Sequence, residues 1–115
     1  MKKLFISVPI KGRTEEAIKA SMEKMHKIAE ATVGEELEVI PSYIEDNPPK
    51  GDREAVWFLG KSIQMMATAD YFVFTQYYHP FNGCRVEVEV AERYGIPMVV
   101  ADAKYVVPDV YEESF

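Results

Sequence analysis

The glutamate at position 87 stands out because it lies on the wrong side of its helix. Residues 83–94 (GCRVEVEVAERY) wound at about 100° per residue put Gly83, Cys84, Val86, Val90, Ala91 and Tyr94 on one arc. Arg85, Glu89, Glu92 and Arg93 fall on the opposite arc, and Glu87 sits inside the apolar one. Burying a charge costs several kcal/mol unless it is paired or hydrogen-bonded, so a carboxylate there is a candidate for chemistry. It lies in the first turns of the helix, where unpaired backbone N–H groups near Gly83, Cys84 and Arg85 favour negative charge. Glu87 is therefore expected to be ionised. Such a carboxylate in a partly dry cleft suits attack on, or stabilisation of, an electron-poor carbon. The structural alternative is a glutamate paired with Arg85, Lys11 or Arg13.

Other candidates are weaker. Asp70 directly precedes the apolar run at 71–75, and on pattern alone it reads as a strand-entry cap before it reads as a site residue. Ser7 and Pro9 end the first apolar run, so Ser7 is either within reach of a ligand or a small residue beneath a helix. Tyr77, Tyr78 and Phe81 offer faces for a planar base, for lid packing or for a subunit contact. Cys84 reads as a small buried residue more readily than as an acidified thiol, because it has no histidine partner nearby. A lone His79, with no second histidine and no CxxC, gives no metal-ligand spacing. Gly12 and Gly83 compose neither GxGxxG nor a Walker-A loop, so no dinucleotide or P-loop site is expected, and no cofactor or metal.

The elements that must position these residues alternate. Residues 4–8 (LFISV) form a strand closed by Pro9, and Thr14 caps a helix in which Ile18, Met22, Met25 and Ala29 repeat. That helix runs to about Ala31, with Gly34 as its stop. Residues 37–40 form a second strand. The long loop 42–52 (SYIEDNPPKGD) leads to Asp52 as the cap of a second helix with Ala55, Leu59, Ile63 and Met66 on one face. Residues 71–75 (YFVFT) form the central strand, followed by the helix of Glu87, which Gly95 ends. Residues 96–101 give a fourth strand, and 104–107 add a short fifth. The run 86–90 (VEVEV) alternates like an edge strand, but a helix keeps the β-α alternation intact. Alternation predicts an α/β fold with a mostly parallel sheet of four to five strands and right-handed crossovers. In such a sheet ligands sit beyond the carboxyl ends of the strands, which brings together Ser7, Pro9, Lys11, Gly12, Arg13, Tyr78, Asn82, Gly83, Arg85 and Glu87.

Bulk properties narrow the function classes. The 115 residues fit one domain. A net charge of −6 with scattered lysines and arginines argues against a nucleic-acid surface. No apolar run approaches the ~20 residues of a membrane span, and Pro9 and Gly12 break the N-terminal run too early for a signal peptide. One cysteine fits a reducing, cytoplasmic setting. Trp57, Phe58, Met65 and the aromatic loop are more apolar surface than one small domain readily hides, so a homo-oligomer is expected.

Three phrases resemble the nucleoside 2-deoxyribosyltransferase-like superfamily: KLFISVPIKG at the first strand and loop, ATADYFVF at the central strand, and GCRVEVEVAERYGIPMVV. Together they span roughly residues 3–101, nearly the whole chain. The resemblance implies a flavodoxin-like three-layer sandwich with helices on both faces. It also implies a covalent mechanism in which Glu87 attacks the anomeric carbon of a nucleoside or nucleotide, with Asp70 helping to position the ligand. The loop 76–82 (QYYHPFN) carries no acid where the classical transferases have one to assist the departing base, and Ser7-Val8-Pro9 stands where they have an aromatic residue. Transfer, hydrolysis and ligand binding without catalysis therefore all remain open. Lys11, Arg13 and Arg85 favour a phosphate-bearing ligand.

Overall fold

A computed structural model describes residues 1–41, 44 and 46–112; part of the long loop (Ser42, Tyr43, Glu45) and the tail Glu113, Ser114 and Phe115 lie outside them. The elements in order are β1 Lys2–Ser7, α1 Glu15–Val33, β2 Leu37–Val39, α2 Glu54–Met66, β3 Tyr71–Thr75, α3 Asn82–Arg93 and β4 Met98–Ala101. Two short helices follow, α4 Ala103–Val106 and α5 Pro108–Tyr111. The four strands lie in the order β2-β1-β3-β4 and all pairs are parallel. The fold is α/β, a flavodoxin-like three-layer sandwich.

Strand alternation builds its two cores. Leu4, Ile6, Val8, Val73, Val99 and Ala101 turn to the α1 side and meet Met25 and Ala29. Phe5 and Phe72 turn the other way, onto Met66 of α2 and Val88 and Ala91 of α3. The Phe5 and Phe72 rings stack with centroids 5.8 Å apart. Each of these buried valine, leucine, isoleucine, phenylalanine and methionine side chains stabilises the fold by about 1.5–3 kcal/mol. Ser7 follows Phe5 on the same face of β1, so it points toward α3.

Helix α1 begins and ends as read. The Thr14 hydroxyl accepts the Ala17 N–H, and Gly34 closes the helix with φ at 85°, where a Cβ would be strained. Helix α2 departs from expectation. Arg53, not Asp52, occupies its N-cap and makes no side-chain cap bond. Asp52 belongs instead to the preceding turn, donating its N–H to the Pro49 carbonyl.

Residues 104–107 are not a fifth strand. The Asp102 carboxylate accepts the Lys104 N–H and starts α4, which buries Val106 and Val107 against the α1 side of the sheet. The chain gains more from covering that core than from extending the sheet edge.

The VEVEV run is helical throughout α3. Its buried stripe is Cys84, Glu87, Val88 and Ala91, the i, i+3, i+4, i+7 pattern of a helix on a sheet. Val86 is 37% and Tyr94 81% exposed, so the true stripe is rotated by roughly 60° from the arc drawn on the sequence, at 100° per residue. Trp57 and Phe58, expected as exposed apolar surface, are half-buried and pack edge to face at 5.1 Å. Among the described residues no helix is long and apolar enough to cross a membrane.

Candidate functional site

In a sheet of this order the chain leaves β1 and β3 on opposite faces, and the crevice between their carboxyl ends is where doubly wound folds bind ligands. Two side chains meet there. The Ser7 hydroxyl at the end of β1 donates to Glu87 Oε1 of α3 at 2.7 Å. Ser62 of α2 is a second hydroxyl acting on the same carboxylate. Glu87 is 9% exposed, so the carboxyl group lies between β1, α2 and α3.

Burial dominates its ionisation. Loss of water pushes the Glu87 carboxyl from its ordinary 4.5 up to about 7, against the two serine hydroxyls, which favour the charged form. At neutral pH the group is therefore divided between acid and carboxylate, rather than fully ionised as the helix N-terminus had suggested. The macrodipole is worth at most a kcal/mol or two, less than the desolvation opposing it. Burial raises the thiol of Cys84, one turn before Glu87 on α3, to about 12, so it stays neutral and inert as a nucleophile.

Arg13 is engaged inside the protein. Its side chain is 1% exposed. The guanidinium donates to both carboxylate oxygens of Asp109 at 2.8 and 2.9 Å, to the Pro9 carbonyl at 2.8 Å, and to the Ser21 hydroxyl at 2.7 Å. This fork ties the loop between β1 and α1 to α5, and holds the Asp109 carboxyl below the usual carboxylate range. Pro9 thus serves through its carbonyl. Gly12 takes φ at 76° in the turn closed by the Arg13 N–H to the Ile10 carbonyl at 3.1 Å. Lys11 is exposed beside it.

Tyr78, Asn82 and Arg85 come together elsewhere. With His79 and Glu89 they line a cavity of about 560 Å³ along α3, and Glu87 is not among its walls. Arg85 and Glu87 lie about 200° apart on the helix, so one cannot neutralise the other at close range. The Tyr78 and His79 rings stack at 4.5 Å. Gly83, in the first turn, is exposed.

Asp70 is far from this crevice. Its carboxylate accepts the Lys3 N–H at 2.7 Å at the amino end of the sheet. Since Ser7 pairs with Phe74, four residues separate that edge from the Ser7 level, roughly 13 Å at about 3.3 Å per residue. Asp70 thus makes the strand-entry contact that was its alternative role, and the structure does not bring it to Glu87. Among the described residues no three His, Cys, Asp or Glu side chains gather as metal ligands would.

Two contributors escaped the sequence reading. Ser62 had a usable signal: Leu59, Ser62, Ile63 and Met66 share one face of α2, and Ser62 is the polar member, as Glu87 is on α3. Asp109 had none, since it meets Arg13 across 96 positions of chain. Comparison with protein-family models, curated proteins and solved structures returns no match.

Proposed function

We propose that the protein binds a nucleoside or nucleotide over the carboxyl ends of β1 and β3, and that Glu87 reacts with it at the N-glycosidic carbon, in transfer or hydrolysis. The observation that carries this reading is a single carboxyl group, nearly dry and held by Ser7, at the point of the sheet where ligands enter. The resemblance of the three sequence phrases supports the substrate class.

In the reaction proposed, a Glu87 oxygen forms a bond to the anomeric carbon while the bond from that carbon to the base nitrogen breaks. The electron pair leaves on the base, which takes a proton from water. A second base or a water molecule then attacks the same carbon, and the carboxylate departs. Only the ionised form of Glu87 can begin this sequence, so activity rises with pH through the group's own titration near 7. A low-dielectric setting strengthens the carboxylate's interaction with the positive charge that develops on the sugar.

The test is incubation of the protein with nucleosides and nucleoside monophosphates, followed by chromatography of released base. Glu87→Gln keeps the size and the hydrogen-bonding shape but cannot attack, so turnover falls by a thousandfold or more, on the order seen when a nucleophile is removed. Turnover unchanged in Glu87→Gln rules the mechanism out. A second reading, binding without catalysis, is favoured by the 9% exposure of Glu87, since a sugar must displace covering atoms to reach it. Intact ligand recovered from the heated protein, with no base released, supports that reading.

A further inference from the structure

We infer that β4 is a pairing edge, at which two copies of this chain join their β4 strands antiparallel across a two-fold axis at Val99 to make one continuous sheet. The surface that the sequence suggested for self-association was a different one, and its Trp57 and Phe58 pack on each other in α2.

The sheet has two outer strands, and they are not alike. β2 is three residues long and carries the exposed Glu38, the kind of charge that keeps an edge from pairing. β4 reads Met-Val-Val-Ala, with no charge and no proline inside it. Because residues 104–107 turn into α4 rather than a fifth strand, no strand among the described residues lies beyond it. The Pro97 carbonyl accepts the Phe72 N–H at 2.9 Å, and the Ala101 carbonyl accepts the Gln76 N–H at 3.3 Å. Alternate residues of a strand direct their backbone groups to opposite sides, so the N–H and C=O of Met98 and Val100 face outward. Nothing among the described residues takes them up.

Three observations make the occupant a second copy. The first is register. Two outward residues with one between them are their own complement. With the axis at Val99, Met98 of each copy faces Val100 of the other, and each such pair exchanges both N–H···O bonds. Val100, 54% exposed and level with Phe74 on the α3 side of the sheet, then gains an apolar cross-strand neighbour.

The second is area. The chain exposes 7480 Å², against about 6,400 Å² for a compact monomer of 13.1 kDa. The excess, on the order of 1,100 Å², is larger than the area of about 800 Å² that each partner covers in an interface of standard size.

The third is charge. Val90 and Tyr94 line a cavity with Ile63 and Met66 of α2, so the opposite flank of α3, with Arg85 and Glu92, faces the β4 side. An antiparallel copy sets the unlike charges of the two flanks toward each other, and no charge lies on the joint itself.

The test is sedimentation velocity on the full chain, for the parent, Val100→Lys and Val100→Pro, with circular dichroism to follow the fold. Lysine puts a charge on the joint, and proline removes an outward N–H that β3 does not use. The parent is expected to sediment at twice its 13.1 kDa at about 0.1 mM. Both variants are expected as single chains, with dimer dissociation strengthened about tenfold or more. Val99→Cys checks the axis. Its two thiols lie opposite each other at a non-hydrogen-bonded pair, within disulfide reach, so mild oxidation yields a covalent dimer that the parent, with Cys84 buried, does not form. A parent that stays a single chain at that concentration overturns the inference, as does a dimer unmoved in both folded variants. Where a variant does not fold, the cross-link decides: a covalent Val99→Cys dimer supports the edge, and its absence overturns it. No readout involves Glu87 or a nucleoside, so failure here is distinct from failure of the glycosidic reading.

Discussion

Ser7 and Glu87 lie 80 positions apart in the chain, yet the Ser7 hydroxyl meets Glu87 Oε1 at 2.7 Å. The bond joins the end of an inner strand to the helix that leaves its neighbour, across the β1/β3 switch point. It also sets the energetics of the site, because a carboxyl group that is nearly dry must be neutral, paired or gripped by donors.

The pH dependence of stability follows from the raised titration of Glu87. A carboxyl group whose midpoint is higher in the folded than in the unfolded chain binds its proton more tightly when folded. Its charge therefore costs nothing below about pH 4.5, and the cost grows through the interval up to about 7. From the size of that interval, stability falls by roughly 3 kcal/mol between pH 4.5 and 8 from this group alone. Urea unfolding of the parent across that range shows the decline, and Glu87→Gln removes it. Equal slopes in the two proteins refute the assignment. Asp109, held low by Arg13, acts in a separate window: its contribution is present above the ordinary carboxylate range and is lost as pH falls below it.

The Arg13 fork predicts an asymmetry between two substitutions that look mild. Asp109→Asn leaves a buried guanidinium without its carboxylate and costs about 1–3 kcal/mol. Arg13→Lys keeps the charge but cannot reproduce the fork to Asp109, Pro9 and Ser21, so it costs a comparable amount. Denaturant midpoints of the two variants and of the double variant measure the coupling. Additive losses would show that the fork is not one unit.

Asp70 separates structure from chemistry. Asp70→Ala removes the acceptor of the Lys3 N–H and is expected to cost about 1 kcal/mol in chemical unfolding. Base release, where it is observed, stays at the parental rate. A large loss of turnover with little loss of stability would return Asp70 to the site.

Much of the frame was legible along the chain because it is written in local chemistry. Thr14 and Gly34 bound α1 through backbone bonds made within a few residues, and the β-branched and aromatic run at 71–75 can be satisfied by a central strand. The VEVEV run marks where local pattern is silent. Two-residue alternation and a helical stripe coexist there, and only the need to cover Phe5 and Phe72 selects the stripe through Cys84, Glu87, Val88 and Ala91. Asp102 gave the same kind of surprise, since its side chain turned an expected strand into α4.

By itself, the amino-acid order determined the alternation of strands and helices, the caps, and the oddity of an acid on an apolar helical face. Those depend on contacts a few residues apart, which propensity and periodicity encode. Only the tertiary structure decided that Glu87 meets Ser7, that Arg13 is spent on Asp109, that Asp70 lies at the opposite edge, and that desolvation outweighs the helix dipole in setting the charge of Glu87. Partners far apart in sequence, and the water excluded between them, exist only once the layers have closed.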